Sequence, residues 1–334
     1  MNFMSIKDAS KKRPTIRDVA KVADVSVATV SRFLNGKTQK MSDQTAERIR
    51  VAIKKMNYVP NSAAREMARN SSRIIAVLAA NIADYFSVEI YRGISSRVEE
   101  AGYISVLLNS GSSLTHERQL LHSINQHGFD GLVFQPLTSD TEQVAGELTR
   151  DFPVVVVDRD LPRSTWPKVV TDNYEAARST TEYFADQGFQ RVVVLTSTIE
   201  LASTRIQRFQ GISQAASTIE TIEIDENNFQ PDAVYGALKK ALSRPGKCLL
   251  FALKERWLLE FLPRLMKEHV IDEARTAVTG FADTALIGSI CPYAKVVSQN
   301  PFLMGQRAGE ILLQMLKGKK NIPEESVIKA QFKH

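Results

Sequence analysis

Five side chains between positions 27 and 32 carry the chemistry of a surface that reads DNA. Val27 and Ala28 are small and apolar, Thr29 and Ser31 bear hydroxyls, and Arg32 ends in a guanidinium. On a helix they lie away from Val30 and Phe33. Methyl contacts, hydroxyls and one bidentate donor are what a major groove accepts. A second set lies further on: Asp84-Tyr85-Phe86, Asp158-Arg159-Asp160, Asp172-Asn173, Thr204-Arg205, Arg208, Lys254 and Gln299. Carboxylates, amides and aromatic faces suit a polyol, and the cations suit an acidic group on it. Taken singly, each is equally at home as a helix cap or a surface charge. No catalytic set assembles beside them. There is no glycine-rich phosphate or dinucleotide loop and no G-x-S-x-G elbow, and the histidines at 116, 122, 127, 269 and 334 lack metal-ligand spacing. The sequence therefore predicts no enzyme, cofactor or metal.

The first set needs a scaffold, and the stretch 15–36, TIRDVAKVADVSVATVSRFLNG, supplies one. Thr15 with Asp18 three residues on fits a capping box, and Val19, Ala20 and Ala23 form the inner face of a first short helix. Asp24-Val25 makes a turn, and Ser26 caps the second helix. A third helix, capped by Ser42 and running to about Met56, brings Ala46, Ile49, Ile53 and Met56 at helical spacing to close a small core. An ordinary helical hairpin on a larger domain has the same pattern, so the context decides. After it, NYVPNSAAREMARNSS reads as a hinge. Pro60 breaks the preceding helix, and Ser62 can cap a short helix that is unstable alone. It is either a plain linker or a segment that folds on DNA and presses Met67 into a minor-groove base step.

Charge separates these readings. The net charge is +6, but residues 1–72 hold 15 Lys+Arg against 6 Asp+Glu, a net of +9, and the rest holds 28 against 31, a net of −3. A basic head on a mildly acidic body predicts a polyanionic partner for the head alone. An oligomerisation device on a sugar-binding or sugar-processing protein, the competing reading, has no reason to carry that charge. Cys248 and Cys291 are far apart in apolar surroundings and read as buried thiols. No apolar run has the length of a membrane span and no secretory h-region opens the chain, so the expected location is cytoplasmic, with no membrane partner.

From Arg73 the pattern becomes strands and helices in alternation. Strand-like runs fall at 74–79, 104–108, 131–134, 154–157, 192–195, 221–224, 249–252 and 278–281. Helical stretches fall near 88–100, 115–127, 141–150, 174–187, 206–216, 232–242, 256–269 and 303–316, with Gly102, Gly128 and Gly188 placed as left-handed caps. Continuous Val/Ile/Leu strands between helices predict parallel sheets covered on both faces, enough for two doubly wound lobes. The fold class is thus an all-α helix-turn-helix head followed by an α/β body.

The head resembles that of LacI-type bacterial repressors, whose pattern TIxDVAxxAGVSxxTVSRxLN is met by TIRDVAKVADVSVATVSRFLN. NYVPNSAAREMA is similar to the family's hinge. VVVVDRD, VVTDNYEAA, TRIQRFQGI, GFADT and SQNPFLMGQRAGEILL fall where the family has related segments. The resemblance implies a basic arm at 1–14, a DNA-binding domain at 15–60, a hinge at 61–72 and a body at 73–334. The body would resemble periplasmic sugar-binding proteins, with one lobe at about 73–170 plus 302–320 and the other at about 171–301 plus 321–334. It also implies a cytoplasmic homodimer on near-palindromic double-stranded operator DNA, controlled by a small carbohydrate effector. By position, Val27, Ala28 and Arg32 would read bases, and Ser26, Thr29, Ser31 and Asn35 would hold phosphates. Ile16, Arg17, Tyr58, Asn61 and Ala68 would also contact DNA, and Met67 would take the place of the family's minor-groove leucine. Asp84, Phe86, Asp158, Arg159, Thr204, Arg205, Arg208, Phe229, Lys254, Asp283 and Gln299 would meet effector.

The departures bear on the ligand. The turn glycine is Asp24, which tolerates the left-handed conformation better than most residues, and the wedge leucine is Met67. The family's A-N-D is Ala252-Leu253-Lys254, and the aspartate of its G-F/Y-D is Ala282, with Asp283 beside it. Loss of two anchors for a neutral hexose and gain of Lys254 near Arg208 and Arg205 favour an anion. SRFLNGK…MSDQT, VDRDLP, TDNYEA and STRIQR resemble the subgroup that controls 2-keto-3-deoxygluconate and hexuronate use. A neutral sugar or a sugar phosphate is the alternative effector.

Overall fold

A computed structural model describes residues 14–39, 41–59, 71–226 and 228–333. The chain divides into two compact units, 1–72 and 73–334. The first holds three helices, α1 (Ile16–Ala23), α2 (Val27–Leu34) and α3 (Asp43–Met56). Each start is fixed by a short polar side chain that satisfies a backbone N–H the helix itself leaves free. Thr15 and Asp18 form the expected capping box, Ser26 accepts from Thr29 N at 3.1 Å, and Ser42 accepts from Thr45 N at 3.3 Å. Asp24 ends α1 at φ +53° and turns the chain into α2. Val19, Ala20, Ala23, Val30, Ile49, Ala52 and Tyr58 form the core, with Ile53 and Met56 packed against it.

The second unit contains two parallel sheets. Strands β1 (Ile74–Ala79), β2 (Ile104–Asn109), β3 (Gly131–Phe134), β4 (Val154–Val157), β5 (Lys168–Thr171) and β11 (Glu325–Ile328) pair in the order β11-β5-β4-β3-β1-β2. Strands β6 (Arg191–Ser197), β7 (Thr218–Ile224), β8 (Cys248–Ala252) and β9 (Thr276–Gly280) pair in the order β7-β6-β8-β9. A short antiparallel pair, β10 (Val296–Ser298) with β12 (Gln331–Lys333), joins the second sheet through a bridge from Val297 to Phe281. The inner strands β1, β3, β4, β6, β8 and β9 are buried nearly throughout, as expected for strands with helices on both faces, while the edge strands β2, β7 and β11 are partly exposed. Cys248 and Cys291 are free and buried, as read from the sequence. Among the described residues, no helix is long and apolar enough to cross a membrane.

The helices that bear on the site are α4 (Tyr85–Glu100), α5 (Leu114–Gln126), α6 (Thr141–Glu147), α7 (Asn173–Ala185), α8 (Ser203–Ala215), α9 (Pro231–Leu242), α10 (Glu255–Lys267), α11 (Leu286–Ile290) and α12 (Pro301–Leu316). Gly305 lets α12 lie directly on α4, because a Cβ there would sit 2.0 Å from the Ile90 carbonyl oxygen. Gly211 does the same for α8 on α7, at 2.3 Å from the Tyr174 carbonyl.

Two expectations are corrected. The tail 321–334 does not stay with the second lobe: β11 pairs in parallel with β5 and covers the open edge of the first sheet, and only β12 returns to β10. Gly128 is not a left-handed cap, since α5 ends at His127 in extended backbone. Strands β5, β10, β11 and β12 went unread because they are short and, unlike the equally short β3 and β4, carry polar residues in place of an unbroken apolar run.

Candidate functional site

In the head, Arg17, Ser26, Val27, Ala28, Arg32 and Asn35 are exposed, and Thr29 and Ser31 are half-buried. Ser26 Oγ and Thr29 Oγ1 share a hydrogen bond of 2.8 Å, so both hydroxyls are already oriented by the cap. Arg32 Nε donates to the Ala28 carbonyl at 3.3 Å, and Asn35 Nδ2 donates to the Ser31 carbonyl at 2.8 Å. The helix backbone thus steers both long polar side chains. Ser26, Thr29 and Arg32 line a groove with Lys37, Ser42 and Thr45. None of these last three reads from the sequence as facing the groove: Lys37 lies in the loop and Ser42 reads only as the cap of α3, and spacing gives no shared face across a loop.

In the body, the strand order brings the site together. Both sheets reverse winding direction next to their first strand, β1 between β2 and β3, and β6 between β7 and β8. Open α/β sheets bind ligands at the carboxyl ends of strands near such a reversal. A cavity of about 280 Å³ opens there between the lobes. The first lobe supplies Ala83 to Ser87 after β1, Gln135 after β3, and Asp158 and Arg159 after β4. The second supplies Thr204, Arg205 and Arg208 from α8, Leu253 to Arg256 after β8, Phe281 and Asp283 after β9, and Gln299 after β10.

The charges are sorted within it. Arg208 is 6% exposed, lies 3.8 Å over the Phe281 ring, and donates to Asn173 Oδ1 at 2.7 Å and the Leu253 carbonyl at 2.6 Å. Arg205 donates to the Thr198 carbonyl. All three acceptors are uncharged. Burial pulls both guanidiniums down to about 10, and Arg159 adds its repulsion at Arg205. Both remain cations at neutral pH. Asp158, at φ +68°, turns the chain after β4 and accepts from Gln135 Nε2 at 2.9 Å. Gln135 Oε1 in turn accepts from Ala80 N and Ser87 Oγ. Lys254 Nζ sits 2.9 Å from Asp84 Oδ2 across the cleft and 3.0 Å from Glu226 Oε1 on its own side. Burial raises the Glu226 carboxyl, but Lys254, Ser197 and Arg205 outweigh it and leave it below the usual range.

Residues 15–61 match the model of bacterial regulatory proteins of the lacI family. Residues 71–226 match periplasmic binding proteins and the sugar-binding domain of the LacI family. The crystal structure of a LacI transcriptional regulator from Lactobacillus brevis is 44% identical, covers 78% of this chain and all of its own, and superimposes with a TM-score of 0.75. The chain belongs to the LacI family. The HTH-type transcriptional regulator KdgR of Bacillus subtilis is 26% identical over 98% of both chains. PtxS, an HTH-type transcriptional regulator of Pseudomonas aeruginosa, is 31% identical over 72% of this chain and 71% of its own. The protein is a LacI-type DNA-binding transcriptional regulator with a sugar-binding domain, and its relatives are regulators rather than enzymes.

Against this LacI frame, the structure moves several residues. Asn61, Met67 and Ala68 lie outside the described residues. Tyr58 is 8% exposed and closes the head core, where Ile16 also packs, so both act first as scaffold rather than as DNA contacts. Phe229 does not line the cavity. It packs against Trp257 and Phe261 of α10. Asp84, Phe86, Asp158, Arg159, Thr204, Arg205, Arg208, Lys254, Asp283 and Gln299 all reach the cavity wall. Two of these do other work there. Lys254, expected as a spare cation, is already matched by two carboxylates. Asp283 Oδ1 accepts from Ser298 Oγ and from the amides of Gln299 and Asn300, pinning the chain as it crosses between lobes. Burial raises the Asp283 carboxyl, these bonds offsetting part of the effect. Gln135, Glu226 and Glu255 were missed, and only strand order makes them neighbours of the site.

Proposed function

We propose that this LacI-type regulator is a dimeric repressor whose operator affinity is set by an acidic sugar bound between the lobes. Two heads related by a dimer axis would read the half-sites of a near-palindrome, each placing α2 in a major groove. Val27 and Ala28 offer apolar contact to thymine methyls, and Arg32 is the hydrogen-bonding reader. Ser26, Thr29, Ser31, Asn35 and Arg17 hold the backbone. Met67, with Asn61 and Ala68, would by the family resemblance supply shape selectivity at the minor groove that a lightly contacting helix lacks.

One observation carries the ligand class: Arg205 and Arg208 are buried in the cleft, and their hydrogen bonds go to uncharged oxygens. A ligand carboxylate would turn an unfavourable burial of charge into a charge-assisted pair. Phe86 and Phe281 offer apolar faces to a carbon skeleton, and Asp158, Thr204 and Gln299 offer partners for its hydroxyls. Similarity to KdgR supports 2-keto-3-deoxygluconate as the first compound to test.

A gel-shift titration of the full chain on the inverted repeat upstream of its own or neighbouring genes tests the DNA half. A specific shift at moderate salt is expected, and Arg32→Ala should cost on the order of 1–3 kcal/mol and relax one base pair per half-site. No specific shift in any ligand state rejects the proposal.

A further inference from the structure

The cavity has a polarity beyond its overall affinity for an acid. At its floor, Arg208 and Arg205 give their hydrogen bonds to uncharged oxygens; Asp158, held by Gln135, lies near both, Asp283 acts on Arg208, and Glu226 and Asp84 act on Arg205. Across the cleft, the ammonium of Lys254 is flanked by Asp84 and Glu226, whose side chains are each 15% exposed. With Arg256 3.9 Å from Glu226 the four groups balance in charge, so the negative character at this end rests on how Asp84 is partnered. Asp84 also keeps a spare acceptor: its Oδ1 is buried with no hydrogen-bond partner, while Oδ2 faces Lys254. As the N-cap of α4, Asp84 makes no capping bond that would use this oxygen. A buried acceptor of this kind is stabilised by an O–H or N–H donor and repels a second anion.

We infer that Asp84 is the specificity-determining residue of the cleft and restricts the effector to monoanionic sugar acids. The carboxylate is directed to Arg205 and Arg208, and hydroxyls at the other end of the molecule donate to Asp84. Aldarates, with a carboxylate at each end, and phosphorylated sugar acids place their second charge against the unpartnered Asp84 Oδ1 and are rejected. Lys254 then acts as a positioning residue. It holds the two carboxylates in place and is not itself free to attract the ligand. This inference rests on the acidic-sugar reading above and narrows it to one charge state.

The test is calorimetric titration of the full chain with 2-keto-3-deoxygluconate, gluconate, galactarate and 6-phosphogluconate, with glucose as the neutral control. The native chain should bind at least one of the two monoacids, with galactarate and 6-phosphogluconate weaker by about tenfold or more, as like-charge juxtaposition demands. In Asp84→Asn, which keeps a good helix cap, the dianions should gain enough to bring that ratio within about threefold. Glu226→Gln should move the ratio the same way, and it carries the test should the first variant melt early. Dianions binding the native chain as tightly as the monoacid, or a ratio unchanged in both variants, overturns the inference while leaving the acidic reading in place. Binding of glucose with no acid bound removes both.

Discussion

The head and the body place their charged groups in opposite ways. In the head, seven core residues are apolar apart from one tyrosine hydroxyl, and every side chain expected to hydrogen-bond DNA bases lies on the outside. In the body, Arg208, Asp158, Glu117, Glu255 and Gln299 are all buried. The partners explain the contrast. A DNA duplex is a long polyanion that releases its condensed counterions when cations replace them, so an exposed basic face is enough to meet it. A small ligand must be surrounded, and its few polar groups find affinity only where water is excluded and the receiving groups are held in advance.

The sharpest way to break this comparison is to place a charge where the head has none. Val30→Asp buries an unpaired carboxylate in a core of seven residues and should cost more than about 3 kcal/mol. That is enough to unfold so small a domain. Operator binding should vanish while calorimetric binding of the sugar acid to the body is unchanged. Loss of both would mean that the two units do not fold independently.

Next in size is Arg208→Met, which removes the floor cation. Sugar-acid affinity should fall by about 10–100-fold, with Arg208→Lys recovering part of it and ligand-free operator binding intact. An unchanged titration would place the carboxylate elsewhere.

The smallest effect concerns a charge buried away from DNA and ligand alike. Burial pushes the Glu117 carboxyl up to about 7, with the Leu137 amide and Arg159 offsetting part of the rise. In the unfolded chain this group titrates near 4.5. Between these values the folded state holds a proton that the unfolded state has released, so this contribution to stability is complete below about 4.5 and is lost as pH rises to about 7. Glu117→Gln keeps an acceptor for the Leu137 N–H. It should raise stability by on the order of 1–3 kcal/mol at pH 8 and by almost nothing at pH 4.5, read from denaturant melts. A pH-independent difference would contradict the assignment.

The same contrast governs what the sequence disclosed. The head was legible almost residue by residue, because its logic is local: capping pairs three apart, a turn residue at φ +53°, and a face set by helical spacing. Tyr58 was misplaced because a tyrosine just past a helix end reads equally as surface or core until α1 and α3 are packed on it. In the body the long strands were legible from their apolar runs, and most cleft residues from their places after those strands. What they do there was not. Asp283 and Lys254 lie at the cavity wall as expected, yet one is tied to the backbone of Gln299 and Asn300 and the other to carboxylates 28 and 170 positions away. Phe229 shows the converse, a cleft position by alignment whose ring the loop turns into the core.

The central claim is that the head reads DNA and the body decides when. It is tested most directly by one thermodynamic comparison: operator affinity of the full chain with and without saturating 2-keto-3-deoxygluconate, in the native protein and in Arg208→Met. The account predicts a ligand-dependent change of about 5- to 150-fold in the native protein, the ordinary range of coupling between two sites. It predicts a smaller change in the variant at the same ligand concentration, in proportion to its reduced occupancy. Equal operator affinities with and without a sugar acid that calorimetry shows to be bound would contradict it.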